Sequence, residues 1–294
     1  MSKLCLYIKI IYFLKESEMK IKVELGDIQK TLFMPVWARA VETIKENPLL
    51  IDKTAVEIIR SVDFDFDKMY HNFHAISQVS WIARCKRFDL VVEDFICRNP
   101  GSTVVNIGCG LDTSYERINN NSIFWYDLDL QDVIDLKRKF ADETENRKFL
   151  ACSFFDTKWF DEIRINKEVM FISAGVFVYF EEFKIKDFFI RLADRFKDFE
   201  MFFDVTSPKG VEIANQMILK SGINSDSFFK WGLKDKRQIT SWDKRIHLFN
   251  TYYTYRIDGL ELSKENQEIA NVSDSLDIQY MVHLKVSQSE YTDL

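Results

Sequence analysis

The chain has 294 residues, of which 47% are hydrophobic and 29% charged. This composition excludes intrinsic disorder over most of the length and leaves enough chain for a sizeable core. With 40 basic and 46 acidic residues the net charge is −6, which argues against broad nucleic-acid backbone binding. Five cysteines without a CxxC pair fit a reducing, cytoplasmic setting better than a disulfide framework.

Leu4 to Leu14 is an apolar run too short to span a bilayer, and no small-residue cleavage pattern follows it. Residues 1–18 are expected to be an upstream extension foreign to the domain, or an extra helix or strand. A single domain is expected over 19–294, with no membrane segment. Its first part, 24–98, reads as helical. One helix is centred on FMPVWARAVETIKEN within 24–48, and another covers 52–62, where Thr54 and Glu57 have capping-box spacing. Asp63 to Asp67 reads as a turn. A long helix over 73–97 is stopped by Asn99, Pro100 and Gly101. His71 and His74 are three apart and read as a polar face rather than a metal site, so no metal is expected.

From residue 102 the pattern changes to a core over 102–208. Short apolar strands at 102–107, 122–129, 149–153, 168–176 and 199–205 alternate with helical stretches at 132–140 and 183–196. That alternation predicts a mostly parallel α/β sheet covered on both faces. Residues 209–245 read as an inserted cap beside the pocket. C-terminal strands follow over 246–294, the last of them at 276–286.

The strongest chemical signal is ValValAsnIleGlyCysGlyLeuAspThr, 104–113. There a strand delivers Gly108, Cys109 and Gly110 to a tight turn that lets the backbone approach a ligand. The second strand ends in TrpTyrAspLeuAsp. Asp129, at its end beside Leu128, can accept both hydroxyls of a ribose, and Asp127 on the same strand face is the rival. A dinucleotide fingerprint wants a third glycine where Thr113 stands, and Asp112 at the turn's mouth would repel a pyrophosphate. The reading is therefore S-adenosyl-L-methionine rather than NAD. Arg84 could clasp a methionyl carboxylate, although from chemistry alone a surface arginine is the stronger reading.

Four segments resemble the leucine carboxyl methyltransferase family, in particular its bacterial polyketide O-methyltransferase branch. They are FMPVWARAVET (33–43), ARCKRFDLVVEDFI (83–96), VVNIGCGLDTSYERI with WYDLDLQDVIDLKRKF (104–118 and 125–140), and AGVFVYF (174–180). The resemblance implies a class I methyltransferase (Rossmann-like) fold with a seven-stranded sheet. It implies that Arg84 holds the methionyl carboxylate, that Gly108 lies against the cofactor and that Asp129 binds the ribose. It further places Ser153 and Phe154 beside the adenine, with Asp156 just beyond. Arg39, Asp112, Thr113 and Arg117 match positions that shape the pocket, and Arg117 could pair with Asp112. Three residues depart from the family pattern: Ser114 for an arginine, Gln131 for a proline, and Ala174 for a glutamate that helps bind the cofactor. The adjoining strand could compensate for the last of these.

The expected reaction is an in-line methyl transfer to a carboxylate or hydroxyl of a small, polyketide-like molecule. A carboxylate acceptor is already ionised at neutral pH, whereas a hydroxyl needs a base. Tyr179 and His247 are the candidates for orienting or deprotonating it, and Phe177, Trp231 and Trp242 for lining an apolar acceptor pocket. The rival readings are a protein C-terminal carboxyl methyltransferase and a catalytically silent cofactor-binding protein.

Overall fold

Apolar residues recur at helical spacing where the N-terminal part was expected to be helical. In α1 (Phe33–Thr43) the buried Phe33, Val36, Trp37, Ala40 and Val41 form one stripe. Pro35 sits in the first turn, where its missing N–H costs nothing, and Pro48 blocks continuation, so this helix is shorter than 24–48. The second helix, α2 (Lys53–Ser61), is capped by Asp52, whose carboxylate accepts from the Ala55 N–H at 2.8 Å. The cap is therefore Asp52 and not the expected Thr54. A two-residue strand β2 (Val62–Asp63) pairs in parallel with β1 (Ile21–Lys22), where a turn was expected to begin. The long helix α3 (Ala75–Arg98) follows. The structure is a computed structural model describing residues 20–22, 32–64, 66, 75–221 and 227–288; the expected extension at 1–18, His71 and His74 lie outside the described residues.

Seven strands form the main sheet: β3 (Thr103–Ile107), β4 (Phe124–Asp129), β5 (Arg147–Ala151), β6 (Val169–Ser173), β7 (Phe199–Thr206), β8 (Ile246–Tyr253) and β9 (Gln279–Val286). Their spatial order is β5-β4-β3-β6-β7-β9-β8. Strands β3 to β7 are mutually parallel, and only β9 runs against the rest. The order reverses between β3 and β6, so a crevice opens beyond their carboxyl ends, where such sheets take ligands. The third strand lies two residues earlier than expected because it opens on Arg147, which is buried and ion-paired with Asp127. The fourth stops at Ser173 because Gly175 turns left-handed at φ 72°.

Side-chain alternation along the strands feeds two apolar layers. Val105, Ile107, Leu128, Phe171 and Phe203 face α6 (Glu182–Phe196), meeting Ile185, Phe188, Phe189 and Leu192. Val104, Trp125, Met170 and Phe202 face α3, meeting Phe88, Val91, Val92 and Phe95. Each fully buried aromatic contributes roughly 1.5–3 kcal/mol of transfer free energy. The high aromatic content therefore goes mainly into packing. Shorter helices complete the chain: α4 (Ser114–Ile118), α5 (Gln131–Lys137), α7 (Pro208–Ser221) and α8 (Lys264–Ser275). The last of these follows a polar stretch that gave little apolar periodicity, and Ser263 caps it by accepting from the Asn266 N–H. No helix among the described residues is long and apolar enough to cross a membrane.

Candidate active site

The turn after β3 is held from below by its neighbouring strand. The Leu128 carbonyl accepts from the N–H groups of Gly108 (2.7 Å) and Cys109 (3.1 Å), while the Leu128 side chain is wholly buried. Both glycines are left-handed, Gly108 at φ 64° and Gly110 at φ 49°. A Cβ on Gly108 would lie 2.4 Å from a Val176 methyl, so the post-β6 segment packs directly on this turn. Asp129 closes it: Oδ2 accepts from the Gly110 N–H at 2.7 Å and Oδ1 from the Leu130 N–H at 2.8 Å. Burial raises the Asp129 pKa, and these two N–H groups oppose that rise. Each oxygen keeps further acceptor capacity. The rival Asp127 is committed elsewhere, receiving the Arg147 guanidinium at 2.8 Å and the Trp125 indole N–H at 3.0 Å. Cys109 is buried and burial pushes its thiol pKa up, so it is no nucleophile.

The turn is also fixed from its other side by Arg39 of α1, Lys137 of α5 and Arg117 of α4. Arg39 donates to Asp52 at 2.7 Å and to the Leu111 carbonyl at 2.9 Å; it braces the turn and does not line an acceptor pocket. Lys137 donates to the Asp112 carbonyl at 2.7 Å. Arg117 forks onto Asp89 at 2.7 and 2.8 Å and reaches Asp52 at 3.0 Å, Ser114 at 2.7 Å and Thr113 at 2.8 Å. Asp112 is only its distant partner at 3.5 Å. Burial opposes ionisation of Asp112, but Arg117, Arg39 and Lys137 outweigh it and hold its pKa far below the ordinary range. Ser114, standing where relatives were expected to carry arginine, is thus a member of this network.

Across the crevice Arg84, in the N-terminal half of α3, is 11% exposed and donates Nη1 to Asp204 at 2.6 Å. Burial opposes its charge and Asp204 more than offsets this, so its pKa rises. Its Nε has no hydrogen-bond partner among the described residues. Ala174 is exposed at the end of β6. Tyr179 is electrostatically coupled to both Arg84 and Asp204, and burial pushes its phenol pKa up. It is therefore a hydrogen-bond donor rather than a base near neutral pH. Ser153, just past β5, is half-buried with its hydroxyl accepting from the Phe155 N–H. The Phe154 ring turns inward, 4.9 Å from Phe188, and Asp156 caps the following short 3-10 helix.

Four expected site residues lie elsewhere. Phe177 packs on Phe189 and Phe203 at 5.7 and 5.4 Å and is core. Trp231 and Trp242 are 5.8 Å apart and cover Phe203 and Phe189 from the segment after α7, so that segment seals the core with both rings. His247 is at the amino end of β8. Its register runs through Lys285 to Glu200, the far end of the parallel strands. At about 3.3 Å per residue this is roughly 20 Å from the crevice, too far for a base. Asp204 was missed because the two acids of the otherwise apolar strand FEMFFDVT, Glu200 and Asp204, read as strand residues whose partners the sequence does not reveal.

An adenosyl-sulfonium donor presents a diol, a carboxylate and a cationic centre. The turn and Asp129 match the diol, and Arg84, with an unused Nε–H, matches the carboxylate, so the residues present fit such a group. Comparison with known proteins agrees with the geometry. The family model described as leucine carboxyl methyltransferase matches residues 33–193. The chain is 24% identical over 222 residues to the tetracenomycin polyketide synthesis O-methyltransferase TcmP of Streptomyces glaucescens, covering 74% of this chain and 80% of that protein. It is likewise 24% identical over 236 residues to the S-adenosyl-L-methionine-dependent methyltransferase dpfgK of Gibberella zeae, covering 74% and 79%. A solved structure of a duf574 family protein from Streptomyces avermitilis superimposes with a TM-score of 0.57 at 9% identity, over 87% of this chain and 97% of that one, and attests the fold. With its glycine turn, its acid-ended second strand and its matched span of more than half the chain, this protein belongs to the leucine carboxyl methyltransferase family.

Proposed function

We propose that this S-adenosyl-L-methionine-dependent methyltransferase methylates an oxygen of a small, polyketide-like acceptor. The observation that carries the reading is Asp129, which ends β4 with one oxygen hydrogen-bonded to the Gly110 N–H of the glycine turn and the other to the N–H of Leu130, next to it in the chain. When bound, the donor supplies an electrophilic methyl group on a sulfonium. Asp129 is assigned to the ribose hydroxyls, with Gly108, Cys109 and Gly110 forming the surface against which the nucleoside lies. Ser153 and the backbone at Phe154 border the adenine side, and Arg84 holds the amino-acid carboxylate through charge-assisted hydrogen bonds.

Tyr179, a half-buried residue within electrostatic reach of Arg84, orients the acceptor by donating its proton as a hydrogen bond. Its raised pKa makes it a poor proton acceptor. That favours an acceptor oxygen that is already ionised, a carboxylate or an acidic hydroxyl, which needs no base. The small-molecule assignment draws support from the polyketide relative's printed role.

The test is transfer of a labelled methyl group from S-adenosylmethionine to separated small-molecule and protein fractions. Label in small molecules supports the reading, and mild base then separates methyl esters, which release it, from methyl ethers, which do not. Label confined to a protein C-terminus would replace it with a protein carboxyl methyltransferase. Binding without any transfer would leave a silent cofactor-binding protein.

A further inference from the structure

The exposed Ala174 leaves the end of β6 without the acid that the family resemblance leads one to expect there, while a carboxylate stands one strand away. Ser173 pairs with Phe203, so Asp204 occupies the next register step, beside Ala174. Two periodicities bring it to Arg84. Along β7, Phe202 and Asp204 point to the same face, toward α3. Along α3, Phe88 and Arg84 are one helical turn apart. Phe202 packs on Phe88 with ring centroids at 4.5 Å, and the next pair outward is Asp204 with Arg84 at 2.6 Å. Asp204 is 4% exposed. Its Oδ1 accepts from the Gly175 N–H at 2.5 Å, and its Oδ2 receives Arg84 and, at 3.4 Å, the Gln279 amide. A Cβ on Gly175 would meet the Arg84 Nη1 at 3.2 Å, so the left-handed turn after β6 lies flat on the guanidinium.

We propose that Asp204 supplies, from the neighbouring strand, the negative charge that position 174 lacks, receiving the ammonium of the donor's amino-acid end while Arg84 receives its carboxylate. This rests on the donor reading above. An amino acid is a zwitterion. A lone arginine would match its carboxylate and leave a positive ammonium facing a positive guanidinium. The Arg84–Asp204 pair instead presents both signs side by side. Each Asp204 oxygen can accept about two hydrogen bonds, so Oδ1 retains capacity beyond the Gly175 N–H. The acid is also bonded to the main chain of the β6 exit, so it is held in place before any ligand arrives.

Calorimetry on the full chain with three ligands decides this: S-adenosylhomocysteine, its analogue lacking only the α-amino group, and 5′-methylthioadenosine, which lacks the amino-acid end. The native chain should bind the deaminated analogue at least tenfold more weakly than S-adenosylhomocysteine. Asp204→Asn should remove that difference while leaving 5′-methylthioadenosine within twofold, and adding Ala174→Glu to it should restore discrimination. Equal native affinity for the first two ligands would overturn the proposal, as would an Asp204→Asn loss shared equally by 5′-methylthioadenosine. If Asp204→Asn failed to unfold cooperatively, Ala174→Glu alone would serve. Less than twofold tightening of S-adenosylhomocysteine is expected because the ammonium already has its partner, and a tenfold gain would overturn the proposal. A native chain that bound neither S-adenosylhomocysteine nor 5′-methylthioadenosine would refute the donor reading itself, a different outcome from any of these.

Discussion

The two sides of the crevice are built on different principles. On the β3–β4 side, the glycine turn is tied down by Leu128 and Asp129 from one direction and by Arg39, Arg117 and Lys137 from the other, through several buried carboxylates. On the β6–β7 side the polar ties among the described residues are fewer and centre on Asp204, which receives Arg84, the Gly175 N–H and, at 3.4 Å, the Gln279 amide. The first side has its geometry set before a ligand arrives. The second also carries unspent polar capacity, in the Arg84 Nε, which has no hydrogen-bond partner among the described residues. A surface recognising an invariant nucleoside gains from rigidity, because less ordering is left for the binding step. A surface beside the reacting centre must also admit an acceptor.

The sharpest way to break this contrast is to remove the brace. Arg117→Met strips the partner from buried Asp89 and should destabilise the fold by about 3–5 kcal/mol, since an uncompensated buried charge remains. Denaturant unfolding measures it, and a loss below about 1 kcal/mol would mean that the network is dispensable. Gly108→Ala combines a left-handed backbone with a 2.4 Å approach to Val176 and should cost about 2–4 kcal/mol. Adding Val176→Ala should recover the steric part only. Asp129→Ala should weaken S-adenosylhomocysteine by at least about tenfold, some 1.4 kcal/mol, in calorimetry; unchanged affinity would remove Asp129 from the nucleoside site. The smallest effect is on acid stability. Asp112 has a folded-state pKa below its ordinary 3.8, so the unfolded chain takes up its proton first as pH falls. Its contribution is present above about pH 4 and lost below it. Asp112→Asn should therefore flatten the fall in unfolding free energy in that acid range.

Much of this architecture can be read from local sequence. The strand–turn–acid pattern from Val104 to Asp129 defines the nucleoside side because every element of it is contiguous or one βα unit apart. The helical stripes of α1 and α3 follow from spacing alone. What could not be read depends on register or on partners distant in the chain. Asp204 is chemically meaningful only once β7 is placed beside β6 and its alternate face toward α3. His247 was a candidate base only if its segment folded over the pocket, and the pairing of β8 with β9 puts it at the opposite sheet end. Trp231 and Trp242 were candidates for pocket walls in a loop-like segment, yet Trp231 stacks on Phe203 and Trp242 meets Phe189 edge to face. The Asp52 cap was hidden by the neighbouring Thr54, which offers the same capping chemistry two residues later.

Arg39 reaches the Leu111 carbonyl from 72 residues upstream, and Arg117 reaches back 65 residues to Asp52. These are long chain loops to close, and they are closed only when the N-terminal helices dock on the sheet. A molecule with its sheet assembled but those helices undocked would keep its secondary structure and lose the turn's brace. Any ligand favouring the braced form would in turn hold the helices down. Protection of α1 and α2 from proteolysis would then report occupancy of a pocket that those helices only underpin.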